Sequence, residues 1–186
     1  MSGVTKENAL AISDEVRSAV SYTRGDELDA LVDAIMEARR VFCTGQGRSG
    51  LVMRAFAMRL VHLGLNAHVV GETTTPAIGP GDLLVTTSGS GQTRTTFAIA
   101  EASSERGAGN AVLTAHPNSP VATMADIVVE VHAPITSDSD HGKSIQPPGS
   151  LFEQTALTLC DAMVMSLMGR LGTTEDEMRA RHTKLE

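Results

Sequence analysis

Two stretches of this sequence carry residue types that can hold an anion. The run Thr86-Thr87-Ser88-Gly89-Ser90-Gly91-Gln92-Thr93 lies between an apolar run, Asp82-Leu83-Leu84-Val85, and an Ala-rich stretch without Gly or Pro, Arg94 to Arg106. A strand, a loop of Gly and small hydroxyls, and a helix start point successive backbone N–H groups at one place. The positive helix end faces the same place, and Ser and Thr hydroxyls add donors. Ser88, Gly89, Ser90, Gly91, Gln92 and Thr93 therefore read as a phosphate cradle, and the ligand as a small phosphorylated metabolite. The alternative is a plain strand-to-helix turn in which Ser90 or Gln92 caps the helix.

The second stretch, Gly45-Gln46-Gly47-Arg48-Ser49-Gly50, matches the G-x-G-x-x-G fingerprint of dinucleotide sites, with Glu72 as a candidate ribose-binding acid. That acid lies further along than the usual spacing, and no length remains for a substrate domain. A dinucleotide would also leave the Ser88 loop unexplained. Arg48 and Ser49 suit the charge and hydroxyls of a sugar phosphate better. Arg48 could instead form an ion pair between subunits. Glu72 to Thr75 either line the sugar side of a site or form an ordinary turn.

These loops need strands and helices to place them. Val4 to Tyr22 and Glu27 to Ala38 have apolar residues at helical spacing and form an N-terminal helical pair over 1–40, with Asp26 as the expected N-cap. Within 41–132, strands are expected at Val41–Thr44, Ala67–Val70, Asp82–Val85, Asn110–Ala115 and Ile127–Val131. Helices at Leu51–Leu63 and Arg94–Arg106 alternate with them, and Ser119-Pro120 opens a short helix as cap and first residue. The alternation implies an α/β fold, a doubly wound five-stranded parallel sheet with additional N- and C-terminal helices. Ligands on such sheets lie beyond the carboxyl ends of the strands, where the strand order reverses, and both Gly-rich loops sit at such ends. Residues 133–149, with His141, Lys143 and Pro147-Pro148, read as a long polar loop of the kind that is functional or mobile. Ser150 to Gly169 reads as a helix apolar nearly all round, which predicts an oligomer whose subunits share it. A charged helix, Glu175 to Lys184, follows, so 150–186 is a C-terminal helical segment and 1–186 one domain.

Composition narrows the function. With 186 residues, 41% of them hydrophobic and 20% charged, the chain can bury a core. A net charge of −7, one Tyr, four Phe and no Trp supply neither the basic field nor the stacking rings of a nucleic-acid groove. No apolar run approaches the roughly 20 residues of a membrane span, and Met1 to Ala11 carries Lys6 and Glu7 but no apolar h-region, so no signal peptide is expected. Cys43 and Cys160 sit in apolar runs as small buried hydrophobes, which suits a cytoplasmic location. The His residues show no close pair or HExxH spacing, so no metal site is evident.

Together the two loops resemble the sugar isomerase (SIS) domain of phosphosugar isomerases and phosphosugar-sensing regulators, a flavodoxin-like fold. The segments Gly47-Arg48-Ser49-Gly50, Ala55-Phe56-Ala57-Met58-Arg59-Leu60, His62-Leu63-Gly64, Val69-Val70-Gly71-Glu72-Thr73 and Arg179-Ala180-Arg181-His182 are similar to the 6-phospho-3-hexuloisomerase family. The resemblance runs from Val41 to the C-terminus. It implies interconversion of D-arabino-hex-3-ulose 6-phosphate and D-fructose 6-phosphate through an enediol, in the ribulose monophosphate route of formaldehyde fixation. It implies no cofactor, a sugar phosphate as the small-molecule partner, and a homo-oligomer, with a tetramer suggested. Glu153, in the motif Gly149-Ser150-Leu151-Phe152-Glu153, is then the base. Read without the family, Ser150-x-x-Glu153 is a capping box and Glu153 caps its own helix. The resemblance gives His182 a part in ring opening or proton shuttling in a neighbouring subunit's site, whereas a lone His on a charged helix reads as surface. His62, in an apolar helix, reads as packed. The rival functions are an aldose–ketose isomerase for another sugar phosphate, or a sugar-phosphate-sensing module without catalysis.

Overall fold

The computed structural model describes residues 3–135 and 143–184. Two helices open the chain, α1 (Val4–Tyr22) and α2 (Gly25–Glu37). The α/β core follows as β1 (Arg40–Gly45), α3 (Gly47–Leu63), β2 (Ala67–Val69), β3 (Asp82–Thr87), α4 (Arg94–Glu105), β4 (Gly109–Thr114) and β5 (Ile127–Glu130). A single 3-10 turn, Ala122–Met124, precedes β5, and α5 (Ser150–Leu171) and α6 (Glu175–Arg181) close the chain. The five strands are parallel, in the order β2-β1-β3-β4-β5. This is the doubly wound order expected, with its reversal between β1 and β3.

Alternating side chains of the central strands feed two cores, because successive residues of a strand face opposite sides. Val41, Cys43, Leu83, Val85, Ala111 and Leu113 join α1, α2, α3 and α5 on one face. Phe42, Leu84 and Val112 join α4 and the 3-10 turn on the other. The helices α3 and α4, which follow β1 and β3, thus lie on opposite faces.

Four expectations need correction or restriction. Asp26 is not the N-cap of α2: the helix starts at Gly25 with Arg24 before it, and Asp26 accepts hydrogen bonds from that arginine at 3.1 and 2.5 Å. Ser119 and Pro120 open no α-helix; they belong to a turn ahead of the 3-10 segment. The apolar α5 packs against α1, α2 and α3 of its own chain, so its burial gives no support to the predicted oligomer. Leu157 and Met165, the latter 75% exposed, are large apolar side chains it leaves outside. Of the loop 133–149, residues 136–142, including His141, lie outside the described residues.

Asp82 locks the first turn of β3 to β1. Its carboxylate, 0% exposed, accepts from Arg40 at 3.0 and 2.6 Å, from Arg39 at 3.1 and 3.1 Å, and from the Gly79 amide at 2.9 Å. The Arg40 hydrogen bond outweighs burial and holds its pKa down at about 2. A depressed carboxylate stabilises the fold above its unfolded pKa and loses that contribution as pH falls from about 4 toward 2. Asp82→Asn should cost about 3 kcal/mol in chemical denaturation, because two guanidinium groups lose a buried partner, and should flatten the stability change across that acid window.

Candidate active site

The two Gly-rich loops meet because β1 and β3 are register partners to their ends, with Gly45 opposite Thr87. After β1 the chain turns directly into α3. A Cβ on Gly50 would lie 2.7 Å from the Gly45 carbonyl oxygen, and one on Gly45 would lie 2.9 Å from the Ser49 carbonyl. The first and third glycines of the fingerprint therefore serve the close approach of strand and helix.

Between these loops and the start of α5 lies a cavity of about 330 Å³. Ser49 lines it from the first turn of α3, Gly89 and Ser90 from the loop after β3, and Gly149, Phe152 and Glu153 from the entry to α5, with Ile135 beside them. A Cβ on Gly89 would strike Ile135 at 2.8 Å and Phe152 at 3.2 Å, so only glycine lets these walls close. The first turns of α3 and α5 both face the cavity, and positive helix ends favour an anion there. Ser88 is buried behind Gly89, while Gln92 and Thr93 are exposed at the start of α4. Neither Ser90 nor Gln92 caps α4. Thr93 holds the cap position without a side-chain bond, and Ser90 Oγ accepts from the Gln92 amide at 3.2 Å.

Glu153 enters this cavity from α5, its side chain 17% exposed, with Oε2 2.9 Å from Arg48 Nε. That contact is an ion pair without hydrogen-bond alignment: among the described residues, the enclosed Oε2 accepts no hydrogen bond. Burial raises the Glu153 pKa above the ordinary carboxylate value, and the Arg48 charge offsets part of the rise. Glu153 is not half of a capping box. Gly149, at φ 80°, holds the cap position of α5, so Ser150 lies one residue inside the helix and its hydroxyl accepts from Arg48 Nη1 at 2.9 Å. The capping box forms instead at Thr174 and Glu177 on α6. Sequence reading gave Ser150 only a capping role and missed Ile135 and Phe152, whose apolar side chains carry no pattern that marks a wall.

The family model described as SIS domain matches residues 34–158. The 3-hexulose-6-phosphate isomerase of Bacillus subtilis (strain 168) is 38% identical over 183 residues, 98% of this chain and 99% of that one. Its counterpart in Mycobacterium gastri is 42% identical over 181 residues, 96% and 90% of the two chains. The chain belongs to the SIS domain family, among the 3-hexulose-6-phosphate isomerases. A solved structure agrees: a hypothetical protein from Methanococcus jannaschii, for which a molecular function of 3-hexulose-6-phosphate isomerase is inferred, superposes with a TM-score of 0.85. It is 32% identical, and the match covers 97% of this chain and 99% of that one.

Other predicted residues of this SIS domain fall elsewhere. Glu72 pairs with Arg54 at 2.8 Å, and with Thr74 and Thr75 it lines a separate cavity of about 360 Å³. His182 follows α6, its ring 5.0 Å from that of His62 near the C-terminal end of α3. Ser49 and His62 are thirteen positions apart on α3, about 20 Å of helix, so within one chain His182 stands far from the cavity. His62 is buried, which lowers its pKa, and the charges of His182 and Arg59 lower it further. Among the described residues, no three His, Cys, Asp or Glu side chains could hold a metal ion, and no helix is long and apolar enough to cross a membrane. Removing the Arg48 charge leaves burial of Glu153 unopposed. The Glu153 carboxyl, followed by carbon NMR, should therefore titrate at a higher pH in Arg48→Met than in wild type; an unchanged titration would show that the pair carries no electrostatic weight.

Proposed function

We propose that this protein interconverts D-arabino-hex-3-ulose 6-phosphate and D-fructose 6-phosphate through a 2,3-enediol. The observation that carries this reading is that one cavity is lined both by Glu153, a largely buried carboxylate, and by Ser49, Gly89 and Ser90. The names of its relatives support 3-hexulose 6-phosphate as the sugar isomerised.

The chemistry assigns each side chain a task. Gly47, Ser49 and the loop from Ser88 to Thr93 hold the phosphate, so that C2 and C3 reach the entry of α5. Glu153 takes the proton from C2 of the 3-keto sugar, and the electron pair moves toward O3. Protonation of O3 gives the 2,3-enediol, and loss of the O2 proton then pushes an electron pair toward C3. Return of a proton to C3 then gives the 2-keto sugar. Nothing is gained or lost over the cycle, so the reaction balances without a redox cofactor. A raised carboxyl pKa makes Glu153 a stronger base than an exposed glutamate, and Arg48 beside it offsets charge on the enediolate.

The full unit we propose is a homo-oligomer, a tetramer by family resemblance, in which His182 of one subunit serves the site of a neighbour. The exposed position of His182, away from its own cavity, is compatible with that role. Cytoplasmic location and a place in the ribulose monophosphate route of formaldehyde fixation complete the reading, the former supported by two buried free thiols, Cys43 and Cys160.

Fructose 6-phosphate incubated with the protein in deuterated water should gain deuterium at C3 and yield the 3-keto isomer. Glu153→Gln should slow that exchange by at least ~10³-fold while still binding the sugar phosphate, a loss typical of removing a positioned base. Binding without exchange by the wild type would make the protein a sensor, and an aldose product would assign it to another isomerase class.

A further inference from the structure

The loop from Ser88 to Thr93 does not hold its shape alone. Four hydrogen bonds tie it to the end of β4 and the turn that follows. The Ser88 amide donates to the Leu113 carbonyl at 3.0 Å. The Gly89 carbonyl accepts from the Ala115 amide at 3.1 Å and from Thr114 Oγ1 at 3.2 Å. The Gly91 carbonyl accepts from the Val121 amide at 3.1 Å.

In a trans peptide the C=O and the following N–H point opposite ways. Fixing the carbonyls of Gly89 and Gly91 into this turn therefore directs the amide of Ser90 away from it, toward the side where Ser90 lines the cavity, and that of Gln92 onto Ser90 Oγ, 3.2 Å away. Left free, either peptide could rotate and present a carbonyl dipole of the wrong sign to an anion.

Ser119 adds a steric stop. A Cβ on Gly91 would lie 1.8 Å from Ser119 Oγ and 2.4 Å from its Cβ, so Ser119 packs directly against the loop at Gly91, while Thr114 Oγ1 stands at ordinary contact distance, 3.4 Å. Gly91 itself holds φ 58°, a conformation that glycine adopts without strain. Ser119 Oγ is enclosed and, among the described residues, has no hydrogen-bond partner, although hydroxyls buried in a core normally find one. Its place under Gly91 accounts for a small, buried side chain there.

We propose that Thr114 and Ser119 are positioning residues for anion binding: the turn from Thr114 to Val121 forms the rear half of the phosphate cradle and sets the direction of its amides. This rests on the reading that Ser88 to Thr93 holds the phosphate. It assigns function to a turn that no catalytic step requires.

The test compares Thr114→Val, Thr114→Ser and Ser119→Ala with wild type, each as the full chain. Binding of inorganic phosphate is measured by calorimetry, and KM and kcat with fructose 6-phosphate. Thr114 Oγ1 also accepts from the His116 amide at 3.2 Å, but only its bond to Gly89 reaches the loop. Thr114→Val should therefore weaken phosphate binding and raise KM by a shared factor of about five, the size of that one hydrogen bond, with kcat and its pH profile held. Thr114→Ser keeps the hydroxyl and should restore both. Ser119→Ala should shift both in the same direction, and it carries the test if Thr114→Val does not fold. A purely structural role would lower the melting temperature and the active fraction while leaving phosphate affinity per folded molecule unchanged, and that result overturns the proposal. So does a Thr114→Ser variant as weak as Thr114→Val. Wild-type turnover judges the isomerase reading separately: phosphate affinities that follow the series in a protein without turnover would uphold the rear brace and remove the assigned reaction.

Discussion

Parallel pairing of β1 with β3 is the constraint on which the site depends. The pairing runs from Arg40 opposite Asp82 to Gly45 opposite Thr87, and it delivers two loops to one place at the sheet's carboxyl edge. At the far end of both strands the Asp82 carboxylate, gripped by Arg39 and Arg40, fixes the relative slide of the two strands. A shift of one residue would reverse every inward side chain and separate the loops. Register is thus held at one end of the strands by charge, and used at the other end for binding.

A third element, α5, turns this anion-holding edge into a site able to move a proton. Its body is apolar and is seated against α1, α2 and α3, which leaves its first turn little freedom. Gly149 takes a left-handed conformation at the entry, Ser150 meets Arg48, and Glu153 is carried into a space enclosed by Phe152 and Ile135. The carboxylate is caught between two opposed influences. Enclosure raises its proton affinity, and the guanidinium of Arg48 lowers it. In the proposed reaction this balance matters, since the same group must accept a proton from carbon and give one back. The arginine belongs to the first turn of α3, so the two helix starts that face the cavity are joined by the base itself.

Much of this was legible in the chain. Alternation of apolar runs with Gly-rich loops pointed to a doubly wound, five-stranded parallel sheet, because parallel strands require crossovers and crossovers leave periodic traces, whereas the strand order itself came only with the structure. Ser49 and the loop from Ser88 onward stood out as hydroxyls and glycines between a strand and a helix, and of these Ser49, Gly89 and Ser90 line the cavity. Glu153 was ambiguous, since Ser150-x-x-Glu153 has the pattern of a capping box, and only the position of Ser150 inside the helix removes that reading. Sequence does not reveal that α1 and α2 fold back over α5, so the apolar character of that helix is met within the chain and argues neither for nor against a shared interface. Ile135, Phe152 and the contact of Ser119 with Gly91 join segments distant in sequence, and local patterns carry no record of such contacts.

The central claim is that one cavity holds both the phosphate and the carbon atoms that exchange a proton. A crystal structure of the Glu153→Gln protein with fructose 6-phosphate measures this directly. The account predicts the phosphate against Ser49 and Ser90, with C2 and C3 within about 3.5 Å of the residue 153 side chain, the reach of a proton transfer. A phosphate bound in another cavity, or carbons C2 and C3 turned away from α5, would contradict it.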